Sequence, residues 1–105
     1  MYLTIKHFIE DTTQHIKLRG LLDFSTVDAF NFVEKIPEHI ASIDVDFSEL
    51  EFIDSTGIGA IISILHKANS LGAEVDFIGM SEETKELFET IGVFDIKESL
   101  LGEGR

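Results

Sequence analysis

Apolar positions alternate with polar or mixed ones over the start of the chain, and a period of two marks strands. Leu3, Ile5, His7 and Ile9 share one side of a strand over Tyr2–Ile9, and Ile16, Leu18, Gly20 and Leu22 share one side of a second over His15–Leu22. The polar connector Glu10–Gln14 predicts a hairpin that pairs them antiparallel. After Asp23 the spacing lengthens. Val27, Phe30, Val33 and Ile36 recur at helical intervals until Pro37 blocks continuation, with Ser25 or Thr26 as the cap. Ile43, Val45 and Phe47 predict a third strand, which runs through Asp54-Ser55-Thr56-Gly57 into an apolar helix over about residues 56–70. That helix carries Ile58, Ile61, Ile62 and Leu65 on one face, with Gly72 as its stop. Glu74–Ile78 returns as a strand. Ser81, followed by Glu82 and Glu83, caps a helix whose buried stripe is Thr84, Leu87, Phe88 and Ile91 and whose end is Gly92. Val93–Leu101 reads as a short last helix.

Two strand–helix–strand alternations imply parallel pairing through right-handed crossovers. The predicted fold is therefore α/β: a mixed sheet with an N-terminal antiparallel hairpin, parallel strand–helix–strand units and about four helices. The sequence contains no internal repeat, low-complexity tract or linker, and its 105 residues suit one domain over residues 1–101 with a loose tail over 102–105.

Hydrophobic residues make up 44% and charged residues 27%, an ordinary balance for a globular protein. No apolar stretch approaches the length of a membrane span, and the alternating N-terminus lacks the basic start and apolar block of a secretory signal. A cytosolic location is expected. The absence of cysteine removes disulfides, zinc-thiolate sites and thiol nucleophiles together. Twenty acidic against eight basic residues give a net charge of −12, which repels nucleic-acid backbones and anionic lipid and favours a partner with a basic face.

The strand-to-helix junction at Asp54-Ser55-Thr56-Gly57 is where chemistry concentrates, because unpaired N–H groups and the positive end of the helix dipole let a phosphate sit at low electrostatic cost. Several enzymatic frames fail there. A nucleophile elbow would need a glycine where Ile53 stands, and the one histidine beyond Ser55, His66, lies in the same helix. His7 and His15 fall in the hairpin and His39 follows Pro37, so no base with an orienting acid, and no metal spacing, accompanies the serine. Gly57-Ile58-Gly59 lacks the third glycine of a dinucleotide loop, whose place Ile62 takes. A phosphoryl-accepting Asp54 would need a second acid beside Asp23 and a lysine in Val75–Gly79, and the chain has neither. No catalytic residue, metal or cofactor is expected.

Asp54 suits an N-cap better, which makes Ser55 the first helical residue with a hydroxyl left to solvent. Ser55 and Thr56 also read as alternative caps, and Asp23 as a turn residue. The two glycines let the helix start pack closely on the sheet or admit another protein's backbone; close packing is expected of Gly59 and partner approach of Gly57.

Gly20-Leu21-Leu22-Asp23, the central strand, Asp54-Ser55-Thr56-Gly57-Ile58-Gly59 and the acid-capped helix reaching Thr90-Ile91-Gly92 resemble the STAS domain, specifically the small bacterial anti-sigma factor antagonists. The resemblance spans nearly the whole chain and implies a STAS domain over 1–101. It implies a phosphorylation-switched regulator of transcription with no catalysis of its own. The unphosphorylated form would bind an anti-sigma factor serine kinase and release the sigma factor, phosphorylation of Ser55 would switch binding off, and a metal-dependent serine phosphatase would reset it. Asp23, Asp54, Thr56, Gly57, Ile58 and Gly59 are the implied partner-binding residues, and the free protein is expected as a monomer or weak dimer. Phe24 after Asp23 and the phenylalanines Phe30 and Phe32 depart from the pattern and bear on which kinase is recognised. The alternative is a STAS scaffold subunit of a larger sensory or lipid-trafficking assembly.

Overall fold

In the computed structural model, which describes residues 2–102, the strands are β1 (Leu3–Glu10), β2 (Thr13–Leu22), β3 (Ser42–Ile53) and β4 (Glu74–Ile78). The helices are a 3-10 helix (Val27–Lys35), α1 (Ser55–Leu71), α2 (Glu82–Ile91) and α3 (Val93–Leu101). Most of the expected C-terminal tail lies outside the described residues.

The sheet order is β1-β2-β3-β4, antiparallel between β1 and β2 and parallel across the other two pairs, as the hairpin and the two crossovers require. Side-chain alternation then sorts the residues. Ile16, Leu18 and Leu22 of β2, Ile43, Val45 and Phe47 of β3 and Val75 of β4 face the helices and form the core with Ile58, Ile61, Ile64 and Leu65 of α1. The opposite face carries Lys17 and His15 of β2 beside Asp44 and Asp46 of β3. There His15 lies 3.3 Å from Glu10 and 3.4 Å from Asp44.

The segment after Asp23 departs from expectation. It closes i→i+3 turns, with the Ala29 N–H donating to the Thr26 carbonyl at 3.0 Å and the Ile36 N–H to that of Val33 at 3.2 Å. Its apolar residues explain why: Val27, Phe30, Val33 and Ile36 repeat every three residues, so they align along one edge only if the turn contains three residues rather than 3.6. Phe30, Val33 and Ile36 are buried in that alignment. Nor does either expected cap serve the segment, since no side-chain capping bond is made at Thr26.

One further boundary moved, at the start of β2, while the third strand runs up to the Asp54 junction as expected. β2 begins at Thr13, where its hydroxyl bonds that of Ser42 at 2.9 Å, and β3 continues to Ile53. Register shifts in the β2–β3 pairing fall around Arg19 and Gly20. At this irregularity Gly20 takes a φ of +101°, and a Cβ there would stand 2.7 Å from the Tyr2 carbonyl oxygen. A side chain at Gly20 would push β1 away at the end of the sheet that bears the start of α1.

An edge-to-face aromatic cluster fastens α2 to the sheet. Phe88 meets Phe47 at 5.6 Å and Phe77 at 5.7 Å between ring centroids, and Phe47 meets Phe77 at 5.4 Å. Phe88 is fully buried. Phe88→Ala should therefore lower unfolding free energy by about 3–5 kcal/mol, seen as a lower urea midpoint at unchanged slope. A change within about 0.5 kcal/mol, the usual range for surface positions, would place α2 outside the cooperative core.

Candidate functional site

β2 and β3 run parallel and end side by side at Leu22 and Ile53, and the Asp54 N–H extends the ladder by donating to the Leu22 carbonyl at 3.2 Å. At that step the chain leaves the sheet and α1 begins. Asp54 has extended backbone angles, and its Oδ1 accepts from the Gly57 N–H at 2.8 Å, the bond expected of an N-cap to the third helical residue. Its Oδ2 accepts from the Phe24 N–H at 3.3 Å. One carboxylate thus caps α1 and holds the loop after β2.

Ser55 and Thr56 are exposed in the first turn of α1. With the Gly57 N–H taken by Asp54, the cap is complete without either hydroxyl. No hydrogen bond among the described residues uses Ser55 Oγ. The reading of Ser55 as a capping alternative is set aside, and the hydroxyl stands at the helix start with no structural task.

Helix phase decides which of the neighbouring residues reach the surface. Gly57 falls on the same face as Ile61, Ile64 and Ala68 and is buried against the sheet. A Cβ on it would lie 2.5 Å from the Leu22 carbonyl oxygen and 2.8 Å from Leu22 Cγ. Gly59 faces outward with nothing within 4 Å of such a Cβ. The expectations for the two glycines are therefore exchanged: Gly57 is the close-packing residue and Gly59 the open one. Ile58 belongs to the core at 2% exposure, so its side chain is not offered to a partner.

Asp23, the expected turn residue, is only 8% exposed and enclosed by its own loop, so its carboxylate is not offered freely to a partner. Its Oδ1 accepts from the Ser25 hydroxyl at 2.6 Å and the Ser25 N–H at 2.9 Å. The Thr26 and Val27 N–H groups both donate to its carbonyl at 3.0 Å. The Thr26 hydroxyl donates to the Leu21 carbonyl at 2.9 Å and accepts from the Asp23 N–H at 3.0 Å. These bonds make a self-contained side-chain turn. The hydroxyl of Ser25, followed by its amide and by Thr26, holds the Asp23 carboxyl below its ordinary value of 3.8 against an opposing loss of hydration.

Two aromatic rings complete the surface. Phe24, singled out as a departure, is 76% exposed, and Phe52, which sequence reasoning missed, is 52% exposed. Phe52 precedes the buried Ile53, so strand alternation turns it to the far side of the sheet. The histidines lie elsewhere: His7 stacks on Phe32 at 3.9 Å, His15 sits between Glu10 and Asp44, and His66 is eleven residues beyond Ser55 on α1. Among the described residues, no group of three His, Cys, Asp or Glu side chains is placed to hold a metal ion. No helix of the described residues is long and apolar enough to cross a membrane.

A four-stranded mixed sheet with helices on one face is the arrangement of a STAS domain. The STAS domain family profile matches residues 6–100, and the chain belongs to that family. It is 28% identical over 98 residues to the anti-sigma-B factor antagonist of Staphylococcus epidermidis, covering 91% of each chain. Among solved structures, the phosphorylated form of the Bacillus cell fate determinant SpoIIAA superposes with a TM-score of 0.68 at 18% identity, over 88% of this chain and 86% of that one. A sulfate transporter family protein from Wolinella succinogenes gives a TM-score of 0.72 at 18% identity, over 93% and 78%. At such identities the two structures establish the fold alone.

Two outcomes follow from the site geometry. Gly57→Ala should destabilise the protein by about 1–3 kcal/mol because the clash is with backbone, whereas Gly59→Ala should be neutral or stabilising by up to about 1 kcal/mol. Thermal melts of the pair check this, and the reverse order would return the packing role to Gly59. For Asp23 the folded-state value lies below the unfolded one, so the carboxylate stabilises the fold above the ordinary 3.8 and this is lost as pH falls through the depressed value. The stability gap between wild type and Asp23→Asn should therefore be widest near neutrality and shrink on acidification, and a pH-independent gap in denaturant titrations would contradict it.

Proposed function

We propose that this protein is an anti-sigma factor antagonist, switched by phosphorylation of Ser55. The observation that carries the reading is a serine hydroxyl, exposed and free of structural bonds, at the first turn of a helix already capped by Asp54. Membership of the STAS family and the name of the staphylococcal relative, which aligns along nearly its full length, support it.

In its unphosphorylated state the protein presents Ser55, Thr56 and Gly59 on the outer surface of α1 to an anti-sigma factor serine kinase. Binding there releases the sigma factor, which sets the site of action in the cytosol. Asp54 shapes this surface as the cap. Asp23, Gly57 and Ile58 contribute from beneath by fixing the loop and the helix start. The kinase supplies the ATP, and a metal-dependent serine phosphatase returns the hydroxyl.

Phosphorylation adds about −1.5 to −2 charges and three acceptor oxygens. The helix dipole and the first-turn N–H groups accommodate that charge in the free protein, even beside Asp54, so the domain stays folded. Its effect falls on the complex, where an interface fitted to a neutral hydroxyl must desolvate a dianion. A penalty of about 2.7 kcal/mol weakens affinity roughly a hundredfold.

Ser55→Ala should accordingly bind the kinase and resist modification, while Ser55→Asp binds at least tenfold more weakly than wild type. Incubation with kinase and ATP, then mass spectrometry of the peptide spanning Glu51 to Lys67, locates the phosphate. Phosphate on Thr56 alone, or equal affinity of modified and unmodified protein, would sink the switch. A stable high-order assembly of the protein with other STAS subunits, and no kinase complex, would favour the scaffold role instead.

A further inference from the structure

Three exposed aromatic residues, Tyr2, Phe24 and Phe52, have their backbones at the end of the sheet that carries Ser55. Tyr2 is 65% exposed, Phe24 76% and Phe52 52%. Backbone bonds fix where each one sits. The Tyr2 carbonyl accepts from the Leu21 N–H at 3.0 Å, Leu21 is the registered partner of Phe52, and the Phe24 N–H donates to the Asp54 carboxylate that caps α1. Phe8, the other exposed ring, stacks on His15 at 4.8 Å toward the opposite end of the hairpin.

Single exposed apolar residues need no explanation, but several rings borne at one corner, on backbone already held, do. Phe24 follows the bonded turn of Asp23, Ser25 and Thr26, and Phe52 and Tyr2 are tied into the β2 ladder, so little backbone order remains to be lost on docking. Rings presented in that way act as anchors, which concentrate binding energy when they enter a pocket. The charge around them describes the pocket's rim. Asp23 and Glu51 adjoin Phe24 and Phe52 in the chain, Asp54 follows two residues after Phe52, and Glu49 and Asp46 lie further back along β3; against them stand Arg19, the registered partner of Glu49, and Lys17, 3.8 Å from Glu49, so acids prevail.

We infer that Tyr2, Phe24 and Phe52 form the affinity and specificity anchor for the same partner that reads Ser55, inserting into an apolar pocket of the anti-sigma factor kinase rimmed by basic side chains. This rests on the proposed function and adds to it a division of labour. The rings supply most of the contact and choose the kinase, while Ser55 reports the phosphorylation state.

The test uses the serine kinase that the full-length wild-type protein retains from the cytosol of its own host without ATP, subsequently purified. Calorimetric titration of that kinase should show Phe24→Ala and Phe52→Ala each binding at least tenfold more weakly than wild type, with unchanged melting temperatures, and Phe24→Tyr restoring most of the affinity. Ile91→Ala, which removes an exposed apolar side chain on α2, should bind as wild type does. Raising the salt should weaken the wild-type complex, as opposed charges at the rim require. If kinase is retained and phosphorylates Ser55 while both phenylalanine variants bind within twofold of wild type, the anchor is wrong and the switch stands. If no serine kinase is retained, the proposed function fails and the anchor with it.

Discussion

The two oxygens of Asp54 hold together the parts of the molecule that matter for its surface. One takes the Gly57 N–H and starts α1, and the other takes the Phe24 N–H and fixes the loop that leaves β2. The close approach beneath supports both bonds: with no side chain, Gly57 lets α1 settle against the Leu22 carbonyl at the end of β2. A carboxylate half in solvent would contribute little as an isolated contact. Here it decides the phase of a seventeen-residue helix, hence which of its residues meet the sheet and which face outward.

Much of this was legible from residue spacing, and the exceptions have definite causes. The hairpin, both parallel crossovers, the N-cap at Asp54 and the stops at Gly72 and Gly92 follow from local pattern, because periodicity and capping chemistry act over a few residues. The 3-10 helix is less legible, because an interval of three from Val27 to Ile36 over four positions is compatible with either kind of helix until burial selects the tighter turn. Gly57 and Gly59 were exchanged for a related reason. Once the cap is set at Asp54, Gly57 falls in phase with Ile61 and Ala68, whereas Gly59 does not, and position in the motif says nothing of that. Burial of Asp23 follows from the bonds its own loop closes over residues 21–27, a turn that residue preference alone does not specify, and exposure of Phe52 from its place one residue before the buried Ile53 in β3.

The proposed switch and the proposed anchor place different demands on the same corner. A phosphate at Ser55 needs only a tolerant local field, which a helix start supplies even next to an acid. Recognition needs shape that does not change on modification, and the bonded turn after β2 supplies that. In the proposed mechanism, charge control on an exposed hydroxyl and contact area on fixed rings would let a partner's affinity change greatly while the domain's own stability changes little.

The 3-10 helix adds a mechanical consequence. Its i→i+3 hydrogen bonds are poorer in geometry than those of α1, yet Phe30, Val33 and Ile36 beneath it belong to the main core. Its backbone is held less firmly than that of α1, and it begins three residues after Phe24. Local opening, and with it amide exchange, should be concentrated there, a compliant wall beside a stiff helix. A partner resting across both would quiet that wall, so part of its intrinsic affinity goes into ordering Val27–Lys35, and the measured affinity depends on how soft that segment is in the free protein.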